Sequence, residues 1–310
     1  MIRLFITIFV ATALLLGGAL SCEKKSGTFW IGSLGLNDPR IVLASQLATA
    51  LVVSSYDLEG NFLGVIADYQ GENNGPRGLA PFDTLYFVIS LEGDDRLDLG
   101  YLGGGRSNYI QSSFLTGTLG KIVKHPTSND YFVIENTNMI ERFEQTGARV
   151  PVTGNPFVNG ALAPCAAPAT LRTLVINNSG QLLALQSGAA TGFNYTIGPT
   201  VASACVAIAA QPTNVNDVIN HSDGNMYWVG TNSQVYRASQ TMTGSTSIFN
   251  SVASINTPTA LAELPDGNLI IASDLTDSVE VITTAGVYVG TFAKSVNTQQ
   301  IHSILVVPGQ

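Results

Sequence analysis

The sequence predicts an all-β protein, a six-bladed β-propeller of four-stranded antiparallel blades, and three observations lead there. One module, LPDGNLIIASDLTDSVEVITTAGVYVGTF (264–292), recurs in looser form along most of the chain. The turn that opens each copy returns at intervals of about 42 to 51 residues, the period of a propeller blade. The third observation is that the first copy lacks its first strand and the end of the chain supplies one.

Within the module, Asp266-Gly267 is a two-residue turn signal, because glycine takes the positive φ that a tight hairpin needs. Leu269 to Ala272 then reads as a buried strand, Asp274 to Ser278 as a polar turn and Val279 to Ile282 as the next strand. Thr284 to Gly286 turns the chain again before the outer strand, Val287 to Phe292. Four strands in about 40 residues make one blade.

Taken in order, the first blade is Ile41 to Ala67, IVLASQLATALVVSSYDLEGNFLGVIA, which aligns with Leu269 to Ala293 but starts at the second strand. Arg77 to Phe114 forms the second blade, with LYFVIS as its second strand, and Lys121 to Val152 the third. In the fourth, LRTLVINNSGQLLALQSG gives two plain strands and Gly192 to Ala210 the outer pair. HSDGNMYWVGTNSQVYRAS (221–239) marks the fifth, and the module described above is the sixth. Ile301 to Pro308, IHSILVVP, reads like the first strand of the sixth blade and completes the first, so that no sheet edge stays open. Seven blades is the alternative, should residues 154–168 hold further strands.

Composition narrows the class of function. Charged residues make up 12% of the chain and the formal net charge is -8, with no basic cluster larger than Lys24-Lys25. Nucleic acid needs Lys and Arg to displace its counterions, so it is excluded as a partner. Residues 1–21 read as a signal peptide: Arg3, an apolar run from Leu4 to Leu16, then small residues. Ala19-Leu20-Ser21-Cys22 resembles a bacterial lipobox, which would make Cys22 the lipidated N-terminus; ordinary cleavage after Ser21 is the alternative. Residues 22–39 then form a tether and 40–310 the propeller. Glu23 in place of an aspartate points to the outer membrane, with the protein facing the periplasm or the cell surface.

Lipidation of Cys22 leaves Cys165 and Cys205, an even pair for an oxidising compartment. Separated by about one blade, each in a segment leading to a first strand, they are expected to form a disulfide that staples neighbouring blades; two separate buried thiols is the alternative. His125, His221 and His302 have no metal-ligand partners at short spacing and are read as solvated or turn-capping residues. The chain carries no G-x-S-x-G, H-E-x-x-H or Walker motif. Gly103-Gly104-Gly105-Arg106 is read as a loop between outer strands.

The P-D-G-N-L-I-I-A-S-D run at 265–274 and its copies resemble the repeats of NHL-type and gluconolactonase-like propellers. That resemblance implies the fold over nearly the whole mature chain and brings in Ca²⁺ as a candidate cofactor. The calcium-dependent lactonases of this fold gather a Glu, Asn residues and an Asp at the channel mouth. Here Asp94, Asp95, Glu135, Asn136, Asp274 and Asp277 fall in turns between second and third strands on one face, and are the candidate oxygen ligands. The preferred expectation is a lipid-anchored module that binds a protein or glycan at the bacterial cell envelope. The alternative is a lactonase-like hydrolase at the channel mouth.

Overall fold

The computed structural model describes residues 38–309 apart from 48–49, 73–74, 94, 112–114, 152–155, 190, 210–213, 251–254, 295–297 and 299. The signal peptide, Cys22, the tether and Asp94 lie outside the described residues.

Six four-stranded antiparallel sheets form the ring. The first blade has β1 (Arg40–Leu47), β2 (Ala50–Tyr56) and β3 (Phe62–Asp68). The second has β4 (Gly75–Pro81), β5 (Tyr86–Glu92), β6 (Arg96–Tyr101) and β7 (Arg106–Gln111). The third has β8 (Leu119–Lys124), β9 (Tyr131–Glu135), β10 (Met139–Phe143) and β11 (Val158–Asn159). Next come β12 (Leu171–Ile176), β13 (Leu182–Gln186), β14 (Thr191–Ile197) and β15 (Ala202–Ala209) in the fourth. The fifth has β16 (Val215–Asn220), β17 (Met226–Gly230), β18 (Val235–Ala238) and β19 (Thr246–Phe249). The sixth has β20 (Pro258–Glu263), β21 (Leu269–Ser273), β22 (Ser278–Ile282) and β23 (Tyr288–Lys294). The last strand, β24 (Ile301–Val307), pairs antiparallel with β1, setting Leu43 opposite Ile304 and Ile41 opposite Val306. The ring is therefore fastened as the sequence predicts, with six blades. Of residues 154–168, only β11 is a described strand, and it is the outer strand of the third blade, which therefore extends beyond the Val152 limit that the sequence suggests.

Hydrophobic burial holds the ring together between blades. Each of six apolar clusters draws its residues from two neighbouring sheets, as Leu43 and Tyr56 of the first blade pack with Ile270 and Val279 of the sixth. A second strand thus has an apolar neighbour on both faces, and β9, β13, β17 and β21 are buried at every position. That is why these strands read as continuous apolar runs and not as alternating ones.

Cys165 and Cys205 are disulfide-bonded, as expected from the sequence. Their setting differs from the expectation. Cys165 lies in the crossover between the third and fourth blades, whereas Cys205 is inside β15, because β14 and β15 are both outer strands of the fourth blade. Both sulfurs sit in the cluster that Phe157 and Val158 share with Tyr195 and Ala202. The bond ties the incoming crossover to the outer edge of the sheet it feeds.

Candidate functional site: the channel mouth

Every innermost strand carries a one-residue bulge at the same level of the ring. The unopposed residue is Arg77 in β4, Arg172 in β12, Asn216 in β16, Thr259 in β20 and His302 in β24. In β8 the same irregularity spans Gly120 and Lys121. A bulge re-aims a side chain that the pleat would send into a neighbouring sheet. Here it sends six side chains to the axis, where Arg77, Lys121, Arg172, Asn216, Thr259 and His302 line one cavity of about 130 Å³. Thr118 and Thr137, from loops on the face where the inner strands begin, also line it, so the cavity is the mouth of the channel on that face.

Most of the ring is tied down by its neighbours. Lys121 Nζ lies 2.7 Å from Asp217 Oδ1 and 2.8 Å from Oδ2. Asp217, itself buried, also accepts hydrogen bonds from Thr173 Oγ1 at 2.9 Å, its neighbour Val218 N at 3.0 Å and Leu261 N at 3.2 Å. Arg77 is ion-paired with Glu92 and donates to the His302 ring. Asn216 Nδ2 donates to the Pro258 carbonyl at 2.7 Å, and Thr259 Oγ1 to the Ile301 carbonyl at 2.5 Å. Each of these contacts reaches from one blade to another or locks a bulge in place.

Burial and two guanidinium groups, Arg77 and Arg172, push the His302 pKa from 6.5 down to about 3. Its imidazole is neutral at physiological pH and accepts from Arg77, which has only donors to offer. Arg172 is different again. No described residue gives it a hydrogen bond or an ion pair, although its guanidinium faces the cavity. Its side chain is exposed within the channel, whose walls desolvate it and lower its pKa, and repulsion by Arg77 lowers it further against the pull of Asp217 and Glu92.

Of the acidic and amide residues expected to hold Ca²⁺, Asp95, Glu135, Asn136, Asp274 and Asp277 do not line this cavity, and Asp94 lies outside the described residues. Asp95 and Asp277 adopt φ of 48° and 49°, a left-handed conformation that aspartate tolerates, and serve the turns they close. Burial and the nearby Asp277 raise the Asp274 pKa. Glu135 is buried and accepts from Thr116 N at 2.6 Å and Thr116 Oγ1 at 3.2 Å, clamping the chain that leads into β8. Gln186 and Ser273 do the same for Ala169 N and Asn256 N, both at 2.8 Å, which marks a device of the repeat. Asn136 accepts from Thr118 N at 3.1 Å. No group of three or more His, Cys, Asp or Glu fit to hold a metal exists among the described residues.

His125 and His221 cap turns, as read from the sequence. Each accepts backbone N–H at Nδ1, His125 from Ser128 at 3.1 Å and His221 from Asp223 at 3.0 Å. The opposite nitrogen reaches the turn glycine of the next blade, Gly180 O at 3.3 Å and Gly267 O at 3.1 Å. Gly104 and Gly105 form the β6–β7 turn, and Arg106 is consumed by Asp98 and Glu72 while lying 4.2 Å over the Tyr69 ring.

No family model matches this chain, and no curated protein does. Solved structures match widely. The nidogen/laminin complex contains a chain that superposes with a TM-score of 0.68 at 13% identity, covering 88% of this chain and 99% of that one. A Bacteroides caccae protein of unknown function gives 0.63 at 11%, covering 87% and 99%. Virginiamycin B lyase from Staphylococcus aureus gives 0.54 at 15%, covering 74% and 73%. The chain has the fold of these propellers. At such identities nothing beyond the fold carries across.

Proposed function

We propose that this protein is an exported, lipid-anchored propeller of the NHL-like kind that binds a protein or glycan partner at the bacterial cell envelope through its channel-mouth face. The observation that carries the reading is the ring of six bulges. They present side chains of unlike chemistry from six different sheets on a frame fixed by interblade burial, the preorganisation that recognition demands. Loops of the same face, held by the Glu135, Gln186 and Ser273 clamps, extend the surface around the mouth. The nidogen/laminin complex supports a binding role by analogy of fold alone.

The anchor and the face are tested separately. Cys22→Ala should abolish incorporation of radiolabelled palmitate and release the protein from the membrane fraction. Immobilised protein, challenged with solubilised envelope extract and with a glycan panel, should retain a saturable partner that Thr259→Trp, which fills the mouth, releases. Retention untouched by that substitution would remove the mouth from the reading; no retention at all would remove the binding role.

A further inference from the structure

The channel mouth holds three cations, Arg77, Lys121 and Arg172, against two carboxylates, Glu92 and Asp217. Glu92 is committed to Arg77 and Asp217 to Lys121. One positive charge is left over in a protein whose formal net charge is -8, and it resides on Arg172. Every other bulged side chain has a partner; this guanidinium has none among the described residues.

Resting on the partner-binding reading of this face, we propose that Arg172 is the anchor of a carboxylate-binding site, and that the ligand enters the mouth as a single carboxylate group. Three features select that chemistry. A surplus of one charge suits a monoanion, whereas a dianion such as phosphate would meet the facing Glu92 and Asp217 uncompensated. The guanidinium fork matches the two oxygens of a carboxylate. A cavity of about 130 Å³ lies well below the roughly 300–1,000 Å³ of sites that enclose a whole small molecule, so it takes the acidic tip of a ligand and leaves the rest outside. Binding an anion between Arg77 and Arg172 also relieves the repulsion that lowers the pKa of Arg172.

The carboxylate has two sources, a free small acid or an acidic side chain of a protein. Purified protein would be titrated with acetate, glutarate, the blocked tripeptide acetyl-Gly-Asp-Gly-amide, its Asn counterpart and inorganic phosphate. Calorimetry follows affinity and the Arg172 Nε–H resonance follows the site. The carboxylate probes should shift that resonance and saturate. Arg172→Met should weaken them by roughly tenfold or more, as expected for loss of a charge-assisted pair, while Arg172→Lys keeps part of the affinity and both variants keep the parent melting temperature. Tighter binding of glutarate identifies a free acid, and tighter binding of the Asp peptide a protein-borne one; each supports the proposal. Absence of binding by every carboxylate, equal binding of the Asn peptide or of phosphate, or affinity unchanged in Arg172→Met would overturn it. An envelope partner still retained by Arg172→Met with no carboxylate affinity sinks this proposal and spares the partner-binding reading; carboxylate affinity without any retained partner does the reverse.

Discussion

Arg77 and His302 meet where the ring closes: the arginine Nη1 lies 3.0 Å from Nδ1 and 3.1 Å from Nε2 of the imidazole, across 225 positions of sequence. One residue belongs to the second blade and the other to the strand that completes the first, so the contact bridges these two blades at the channel mouth. It also makes the closure sensitive to acid.

His302 titrates near 6.5 in the unfolded chain and at about 3 in the folded one. Between those values the unfolded state binds the extra proton, so stability rises with pH across that window. The contribution is complete above 6.5 and is lost as pH falls toward 3, at up to about 1.4 kcal/mol per pH unit. Carboxylates add their own acid sensitivity at the lower end, so the comparison belongs between pH 6.5 and about 5. Urea unfolding over that range should show a slope for the parent that His302→Asn removes. Arg172→Met should raise the His302 pKa, read by NMR, since one of the two repelling guanidiniums is gone. A parent protein with flat stability over this range would contradict the half-buried, neutral imidazole.

Asp217 of the fifth blade is met by Lys121 of the third, Thr173 of the fourth and Leu261 N of the sixth. Removing it leaves a mostly buried ammonium and several donors without acceptors. Asp217→Ala should cost about 3–5 kcal/mol, the usual loss on breaking one side of a buried pair. Lys121→Met should also destabilise, and Asp217→Ala combined with Lys121→Met should cost less than the two changes added together. Denaturant midpoints at constant slope measure all three, and strict additivity would show that the ion pair does not couple the blades.

The repeat made the ring legible before any coordinates, because Ile41 to Ala67 and Leu269 to Ala293 share their strand pattern and the tail matches the missing strand. The mouth was not legible in the same way. A one-residue bulge leaves no mark in a strand of six or seven residues, so Arg77, Lys121 and Arg172 look like ordinary surface cations. The available signal was positional: Lys121, Arg172, Asn216 and Thr259 stand 8 residues before Asn129, Gly180, Gly224 and Gly267. Acidic residues in and beside the turns are the more conspicuous pattern, but Asp95 and Asp277 are favoured there by their backbone conformation and Glu135, at the end of β9, by a loop N–H.

Cys165 and Cys205 enclose a loop with a sequence separation of 40. Cross-linking a loop of that size removes unfolded-state entropy worth about 3–4 kcal/mol. The double change to alanine should lower stability by about that amount, and the melting temperature by roughly 6–16 °C at about 2–4 °C per kcal/mol. Intact mass with and without reductant checks the bond itself. An unchanged melting temperature would place the stabilisation of the fourth blade entirely in its apolar cluster.

Closure by β24 carries the largest expected effect. Ile304 is 5% exposed, faces Leu43 across the ladder and packs with residues of the first and sixth blades. Ile304→Val should cost about 1 kcal/mol, through one lost methyl group. Ile304→Asp buries a charge with nowhere to place it and should exceed about 3 kcal/mol. Truncation after Gln300 goes further, since it bares the β1 edge and opens the ring between β20 and β4. The truncated chain should lose its single cooperative transition and self-associate, seen by sedimentation and by thermal scans. A monomer with the parent melting temperature would mean that the interblade clusters suffice without the fastening strand; burial shared between the first and sixth blades argues against that, because β24 supplies both Ile301 and Ile304 to it.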